Sequence, residues 1–174
     1  GNTYPVQTHL IGSYNLDNAL AAVAVGRYFD VASEDICQAL SEYVPQNNRS
    51  QLVDTGRNKL IVDAYNANPT SMMAALENFR QMDALHKMVI LGDMRELGEA
   101  SLDEHRKVIG FLNECRFDRV VLVGPEFKAA ASSYEHYNNV GEVKEILKQN
   151  PPEGFTVLIK GSNSMKLSQL PEYL

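Results

Sequence analysis

Four short runs, Ile61-Val62, Met88-Val89-Ile90-Leu91, Val120-Val121-Leu122-Val123 and Val157-Leu158-Ile159, are apolar at every position. A strand with one wet face alternates polar and apolar residues, so a run with no polar position has to be covered on both sides. Segments of helical period separate the runs: Ser71 to Met82, Leu102 to Glu114, Glu126 to Ser132 and Val140 to Leu147. Strand and helix in that alternation predict an α/β fold, an open, doubly wound, mostly parallel sheet with helices on both faces. Tyr134 to Tyr137 reads as a further short strand. Only the start of the sheet departs from this rule. Gln51 to Thr55 and Lys59 to Val62 flank Gly56-Arg57-Asn58 as a hairpin would, so the first strand is antiparallel.

What precedes the hairpin has a different character. Gly1 to Ile11 lacks a helical period and contains Pro5, so it reads as strand or loop. Leu16, Ala19, Leu20, Val23 and Phe29 then recur at near-helical spacing, and Ala19, Ala21, Ala22, Ala24 and Gly26 would let that helix approach a neighbour closely. Ser33 is placed to cap a second helix, with Asp35 in its first turn, an apolar face of Ile36, Ala39, Leu40 and Tyr43, and Pro45 as its stop. The polar stretch Gln46-Asn47-Asn48-Arg49-Ser50 is the best boundary in the chain. Two domains are therefore expected: residues 1–47, a mainly helical remnant of a larger domain, and residues 48–174, which carry the sheet.

Composition excludes some functions. A formal charge of −6, with sixteen Lys and Arg scattered through 174 residues, leaves no basic footprint for nucleic acid. No apolar run approaches the roughly 20 residues that span a bilayer. Cys37 and Cys115 are far apart and fall in helical segments, the pattern of two buried free thiols in a reducing, cytoplasmic compartment.

Chemistry concentrates where strands end. Asp63 follows Ile61-Val62 and opens the run Asp63-Ala64-Tyr65-Asn66-Ala67-Asn68-Pro69-Thr70-Ser71-Met72. The crevice outside the carboxyl ends of parallel strands is the usual ligand site, and a carboxylate there can accept from a ribose diol or simply satisfy a turn. Asn66 and Asn68 are ligand groups or Asx-turn residues, and Ser71 is a fair N-cap, with Pro69 the competing start of the helix. The second strand runs into Gly92-Asp93-Met94-Arg95-Glu96-Leu97-Gly98, which has the mixed charge of a substrate loop or a solvated one. Beyond it, Ser101 and Glu104 have capping-box spacing, and His105 one turn inside has an orienting or packing role. The last strand leads to Lys160-Gly161-Ser162-Asn163-Ser164-Met165-Lys166, an anion-binding turn or a basic loop.

Neither G-x-x-x-x-G-K-[ST] nor G-x-G-x-x-G occurs, and G-x-S-x-G is absent. His9, His86, His105 and His136 show no metal-ligand spacing. No catalytic residue and no metal ligand is assigned.

Four blocks in a fixed order resemble the carboxyl-terminal portion of the Mur ligases: Gly12-Ser13-Tyr14-Asn15-Leu16-Asp17-Asn18-Ala19-Leu20-Ala21-Ala22, Asp63 through Met72, Leu91 through Gly98, and Lys160 through Met165. Tyr65 through Pro69 and Gly92-Asp93-Met94 point to the branch of the family that joins D-alanyl-D-alanine to UDP-N-acetylmuramoyl-tripeptide in peptidoglycan synthesis. The resemblance implies that residues 1–47 end the central ATPase domain and that residues 48–174 are a Rossmann-like carboxyl-terminal domain. It implies ATP and Mg2+ as cofactors, held mostly by upstream parts that this domain contacts within one chain, and a fragment inactive alone. Asn15 and Asn18 match the motif beside adenine, with Tyr14 where the family usually has histidine. Arg49 matches an arginine near the nucleotide phosphates, and Asp63 matches the ribose-binding acid. Tyr65, Asn66 and Asn68 match lining of the nucleotide or dipeptide site, while Asp93, Arg95, Lys160 and Ser162 are substrate-side, with Arg95 or Lys160 as the cation for the dipeptide carboxylate. A sibling ligase for another amino acid, or a nucleotide-binding or scaffold module, is the alternative.

Overall fold

The computed structural model describes residues 3–12, 15–46 and 48–174. The chain divides into two compact units, Gly1–Gln46 and Asn47–Leu174.

The first unit holds helices α1 (Asn15–Tyr28) and α2 (Ser33–Glu42). Gly26 is the point of close approach between them, since a Cβ there would lie 2.9 Å from Ile36 Cδ1. The apolar positions of α1 are otherwise not buried, with Leu16 at 62% and Leu20 at 55% exposure. Ser33 is not the cap of α2. Ala32 occupies the N-cap without a side-chain bond, and the Ser33 hydroxyl accepts from Arg27 Nη1 at 2.9 Å instead. The helix stops at Glu42, before the residue that Pro45 bars from helical backbone.

The second unit is a six-stranded sheet ordered β1-β2-β6-β3-β4-β5. Its strands are β1 (Gln51–Asp54), β2 (Lys59–Asp63), β3 (Lys87–Gly92), β4 (Arg119–Val123), β5 (Glu135–Tyr137) and β6 (Thr156–Lys160), and its helices are α3 (Pro69–Gln81), α4 (Ser101–Glu114), α5 (Pro125–Ala129) and α6 (Val140–Gln149). Only β1 and β2 pair antiparallel, as the hairpin pattern predicts. The chain steps outward from β3 to β5, then returns through α6 to insert β6 between β2 and β3. Right-handed crossovers therefore put α3, α4 and α5 on one face and α6 on the other.

Both faces are buried, which is why the strands carry no polar alternation. Leu60, Val62, Ile90 and Ile159 pack with Val143 and Leu147 of α6. Their neighbours Ile61, Val89, Leu91 and Leu158 point to the opposite face and are equally buried, as are Leu76 and Phe79 of α3 and Leu112 of α4. Cover on the α6 face is completed by three short 3-10 turns, Asn163–Met165, Leu167–Gln169 and Pro171–Tyr173, which lack the periodicity that would reveal them. Helix α5 ends earlier than its sequence pattern, because Ala131 takes a left-handed backbone (φ 51°).

Candidate functional site

Strands β2, β6, β3 and β4 all end at one edge of the sheet. The chain leaves β6 toward the α6 face and leaves β3 toward the α4 face, so a crevice opens between adjacent strands there. Register places Lys160 beside Asp63 on one side and Leu91 on the other. Two glycines let the loops cross: a Cβ on Gly161 would sit 2.9 Å from Gly92 Cα.

Asp63 ends β2 and is held from two directions. Its Oδ1 accepts from Ser50 N at 3.1 Å, and its Oδ2 accepts from Lys160 Nζ at 2.5 Å. The Lys160 side chain is 2% exposed and also donates to the Asn66 carbonyl at 3.3 Å, whereas the Asp63 side chain keeps 17% of its surface. Asn48 and Ser50 have left-handed backbones (φ 58° and 47°), and this tight turn delivers the Ser50 N–H to Asp63. The same turn sets the Arg49 guanidinium 4.0 Å above the ring of Tyr65, and both residues are exposed.

Past Asp63 the chain turns into α3. Asn66 Oδ1 accepts from Ala67 N at 2.8 Å. Asn68, not Ser71, caps α3: its Oδ1 accepts from Ser71 N at 2.8 Å, while Ser71 Oγ accepts from Asn68 N at 3.1 Å. Pro69, which needs no N–H partner, takes the first helical position. Asn66 and Asn68 thus use their carbonyl oxygens locally and remain exposed.

The loop after β3 is built on Asp93, which is fully buried. Its Oδ2 accepts from Glu126 N at 3.1 Å and its Oδ1 from Phe127 N at 3.0 Å, so the carboxylate caps α5 from outside that helix. Gly124 makes room for it at φ 118°. The Asp93 carbonyl accepts from Ser162 N at 3.1 Å, and Ser162 Oγ accepts from Arg95 N at 2.9 Å, which laces the β3 and β6 loops together. Ser162 is buried, and the exposed Arg95 lays a guanidinium nitrogen 4.0 Å from the Met165 sulfur.

His105 is fully buried beneath this loop. Its Nδ1 donates to the Ser101 carbonyl at 2.7 Å and its Nε2 accepts from Met94 N at 3.1 Å, a pairing that fits the neutral ring. With Nε2 so used, its 3.9 Å approach to Asp93 Oδ1 is not an ion pair. The ring packs edge-on against Phe127 at 4.6 Å. The expected capping box of Ser101 and Glu104 does not form. A 3-10 turn, Gly98–Ala100, runs straight into α4, the Ser101 hydroxyl donates to Glu126 Oε2 at 2.7 Å, and Glu104 pairs with Lys107 at 2.6 Å.

In the first unit, Asn15 Nδ2 donates to the Ile11 carbonyl at 2.7 Å and Asn18 Nδ2 donates to Asn15 Oδ1 at 3.0 Å. Asn18 is exposed. Tyr14 lies outside the described residues. Both cysteines are free, but Cys37 is only partly buried, and burial pushes the Cys115 thiol up from its ordinary value, away from reactivity.

The fold therefore gathers Arg49, Asp63, Tyr65, Asn66 and Lys160 in one cluster, and Asp93, Arg95 and Ser162 in the adjoining loop pair. Ser50 escapes sequence reasoning because it contributes a backbone N–H, which any residue has. Among the described residues no group of three or more His, Cys, Asp or Glu is arranged to hold a metal. No helix among them is long and apolar enough to cross a membrane. A groove of about 440 Å³ opens at the opposite, amino edge between Leu52, Arg57, Leu85 and Phe155, away from these residues.

Residues 48–163 match the Mur ligase, glutamate ligase domain. The chain belongs to the Mur ligase family. This Mur ligase chain is 33% identical over 172 residues to the UDP-N-acetylmuramoyl-tripeptide–D-alanyl-D-alanine ligase of Bacillus subtilis strain 168, taking in 92% of this chain and 38% of that protein. It superposes on a crystal structure of MurF from Acinetobacter baumannii with a TM-score of 0.83 and 30% identity, covering 96% of this chain and 40% of that one. MurF of Thermotoga maritima in complex with ADP shares the fold at a TM-score of 0.78 and 22% identity, over 92% of this chain and 38% of that one. The chain thus spans about two fifths of the length of these Mur ligase relatives.

Proposed function

We propose that this chain is the carboxyl-terminal part of a cytoplasmic, ATP-dependent ligase that joins D-alanyl-D-alanine to UDP-N-acetylmuramoyl-tripeptide. Residues 1–47 would end its central ATPase domain, and residues 48–174 would be the domain that closes over it. The observation that carries the reading is the Asp63 cluster: a carboxylate at a strand's carboxyl end, fixed by Ser50 and Lys160, with part of its surface still open. That geometry suits two adjacent hydroxyls of a ribose. Arg49, stacked on Tyr65, supplies the nearby cation for phosphate charge; in the first unit the exposed Asn18 would read the base edge.

In this reading the tripeptide carboxylate attacks the γ-phosphorus of ATP, the bond to the β-phosphate oxygen breaks, and ADP leaves behind an acyl phosphate. The dipeptide amine then adds to the acyl carbon, loses its proton, and inorganic phosphate departs. Magnesium would neutralise phosphate charge in the first step, held mostly by upstream parts of the protein. The contribution of this chain is binding, orientation and exclusion of water, which would otherwise hydrolyse the acyl phosphate. Arg95 is the cation for the dipeptide carboxylate, because its guanidinium is exposed at the crevice edge. Tyr65, Asn66 and Asn68 line the site, while Asp93 and Ser162 hold its loops.

The test is turnover by the full-length protein. ADP and phosphate release should require both UDP-N-acetylmuramoyl-tripeptide and D-alanyl-D-alanine, and the 174-residue chain alone should show none. Release driven by a different amino acid, or product formed by the isolated chain, refutes the reading.

A further inference from the structure

Lys160 and Asp63 form a pair with very unequal access. The ammonium end is sealed, with the side chain 2% exposed, and it donates to Asp63 Oδ2 and to the Asn66 carbonyl. The carboxylate keeps an outward edge at 17% exposure. Each carboxylate oxygen accepts more than one hydrogen bond, so the bonds from Ser50 and Lys160 leave capacity on the outer side. A molecule in the crevice can therefore touch Asp63 without touching Lys160. A buried ammonium is tolerated only beside a counter-charge, and the charge of Lys160 is already committed.

We propose that Lys160 is a positioning residue that acts only through Asp63 and the Asn66 turn, fixing the carboxylate toward the ribose hydroxyls, and that it contributes no cation to the dipeptide. The inference rests on the ribose contact put forward for Asp63. It also explains the placement of the lysine: the register of β2 against β6 sets residues 63 and 160 side by side, so one ion pair, sealed only at its ammonium end, ties the end of β6 to the turn that begins α3.

The experiment uses the full-length protein and compares kcat/KM for ATP with kcat/KM for 2′-deoxy-ATP and 3′-deoxy-ATP, together with the KM for D-alanyl-D-alanine. A hydrogen bond to a charged group sets the expected preference for ATP at about 10- to 100-fold. Lys160→Met should lose most of that preference, as Asp63→Asn does, and should leave the dipeptide KM within about twofold. The double variant should match Asp63→Asn alone, since Lys160 has no further route to the substrates. Two results overturn the proposal: Lys160→Met that keeps the ATP preference, or a dipeptide KM raised tenfold by adding Lys160→Met to Asp63→Asn. Asp63→Asn alone leaves the Lys160 ammonium without its counter-charge, so where either single variant does not fold, the double variant, which leaves no uncompensated charge, is compared with the unaltered protein, and a dipeptide KM raised tenfold there overturns the proposal. A wild-type ATP preference in Asp63→Asn would instead remove the ribose contact, and absence of all turnover in the unaltered protein would remove the proposed function.

Discussion

Replacing Asp93 with alanine separates a structural carboxylate from a substrate-binding one. In the folded protein this side chain is fully buried and its oxygens accept from Glu126 N and Phe127 N at 3.1 and 3.0 Å. Alanine leaves both N–H groups buried without acceptors, and each lost bond to a charged group is worth about 1.5–3 kcal/mol. Part of that is returned because the carboxylate no longer has to be desolvated, so the net loss is about 3–4 kcal/mol. For a unit of this size that lowers the melting temperature by roughly 10–20 °C. Asp93→Asn keeps one acceptor oxygen but sets its amide donor against the other backbone N–H, so it should be destabilised by a similar amount. Thermal unfolding measures the total, and hydrogen exchange at the Glu126 and Phe127 amides locates it. Melting within 2 °C of the unaltered protein, or unchanged protection at those two amides, would refute the assignment of Asp93 as the cap of α5.

Two further perturbations probe other joints. Asn58 is buried and donates to the Pro152 and Leu174 carbonyls at 2.7 and 2.5 Å while accepting from Phe155 N at 3.0 Å, so Asn58→Ala should cost about 2–4 kcal/mol in urea unfolding. Asn58→Asp should cost more, because it turns an acceptor toward two carbonyls, and equal costs would contradict the bonding pattern. At the outer edge of the sheet, the Arg119 guanidinium beside Glu135 holds that carboxyl below its usual range. A depressed carboxyl stabilises the fold above its unfolded value and loses that contribution as pH falls through its folded value. Glu135→Gln should therefore lower stability by up to about 1 kcal/mol at pH 7 and by less at pH 3. An equal loss at both pH values would mean that charge is not the cause.

How much of this was legible beforehand divides along a physical line. The sheet was readable because burial on both faces forces apolar residues at consecutive positions, as in Met88 to Leu91, and nothing else in a soluble fold demands that pattern as strongly. The turns between Asn163 and Tyr173 were not readable, since each is a single 3-10 turn and the apolar Met165, Leu167, Leu170 and Leu174 follow no fixed period. Helix starts failed for a shared reason. A serine before a helix is a cap only if no better acceptor lies nearby and no other group claims its hydroxyl. Asn68 outcompetes Ser71, Arg27 claims Ser33, and Glu126 claims Ser101.

At the edge of the sheet the same distinction decides what a polar residue can do. Asp63, Asp93, Lys160 and Ser162 are equally conspicuous as sequence, yet the fold seals three of them: Asp93 under α5, Lys160 behind Asp63, and Ser162 between two loops. Asp63 differs in keeping 17% of its side-chain surface open, together with the backbone N–H of a left-handed Ser50 that no side chain announces. In the proposed reading Asp63 can meet a ligand because its burial is partial and its inner partners are in place. Both conditions depend on residues thirteen and ninety-seven positions away in the chain, and so are set by topology rather than by local pattern.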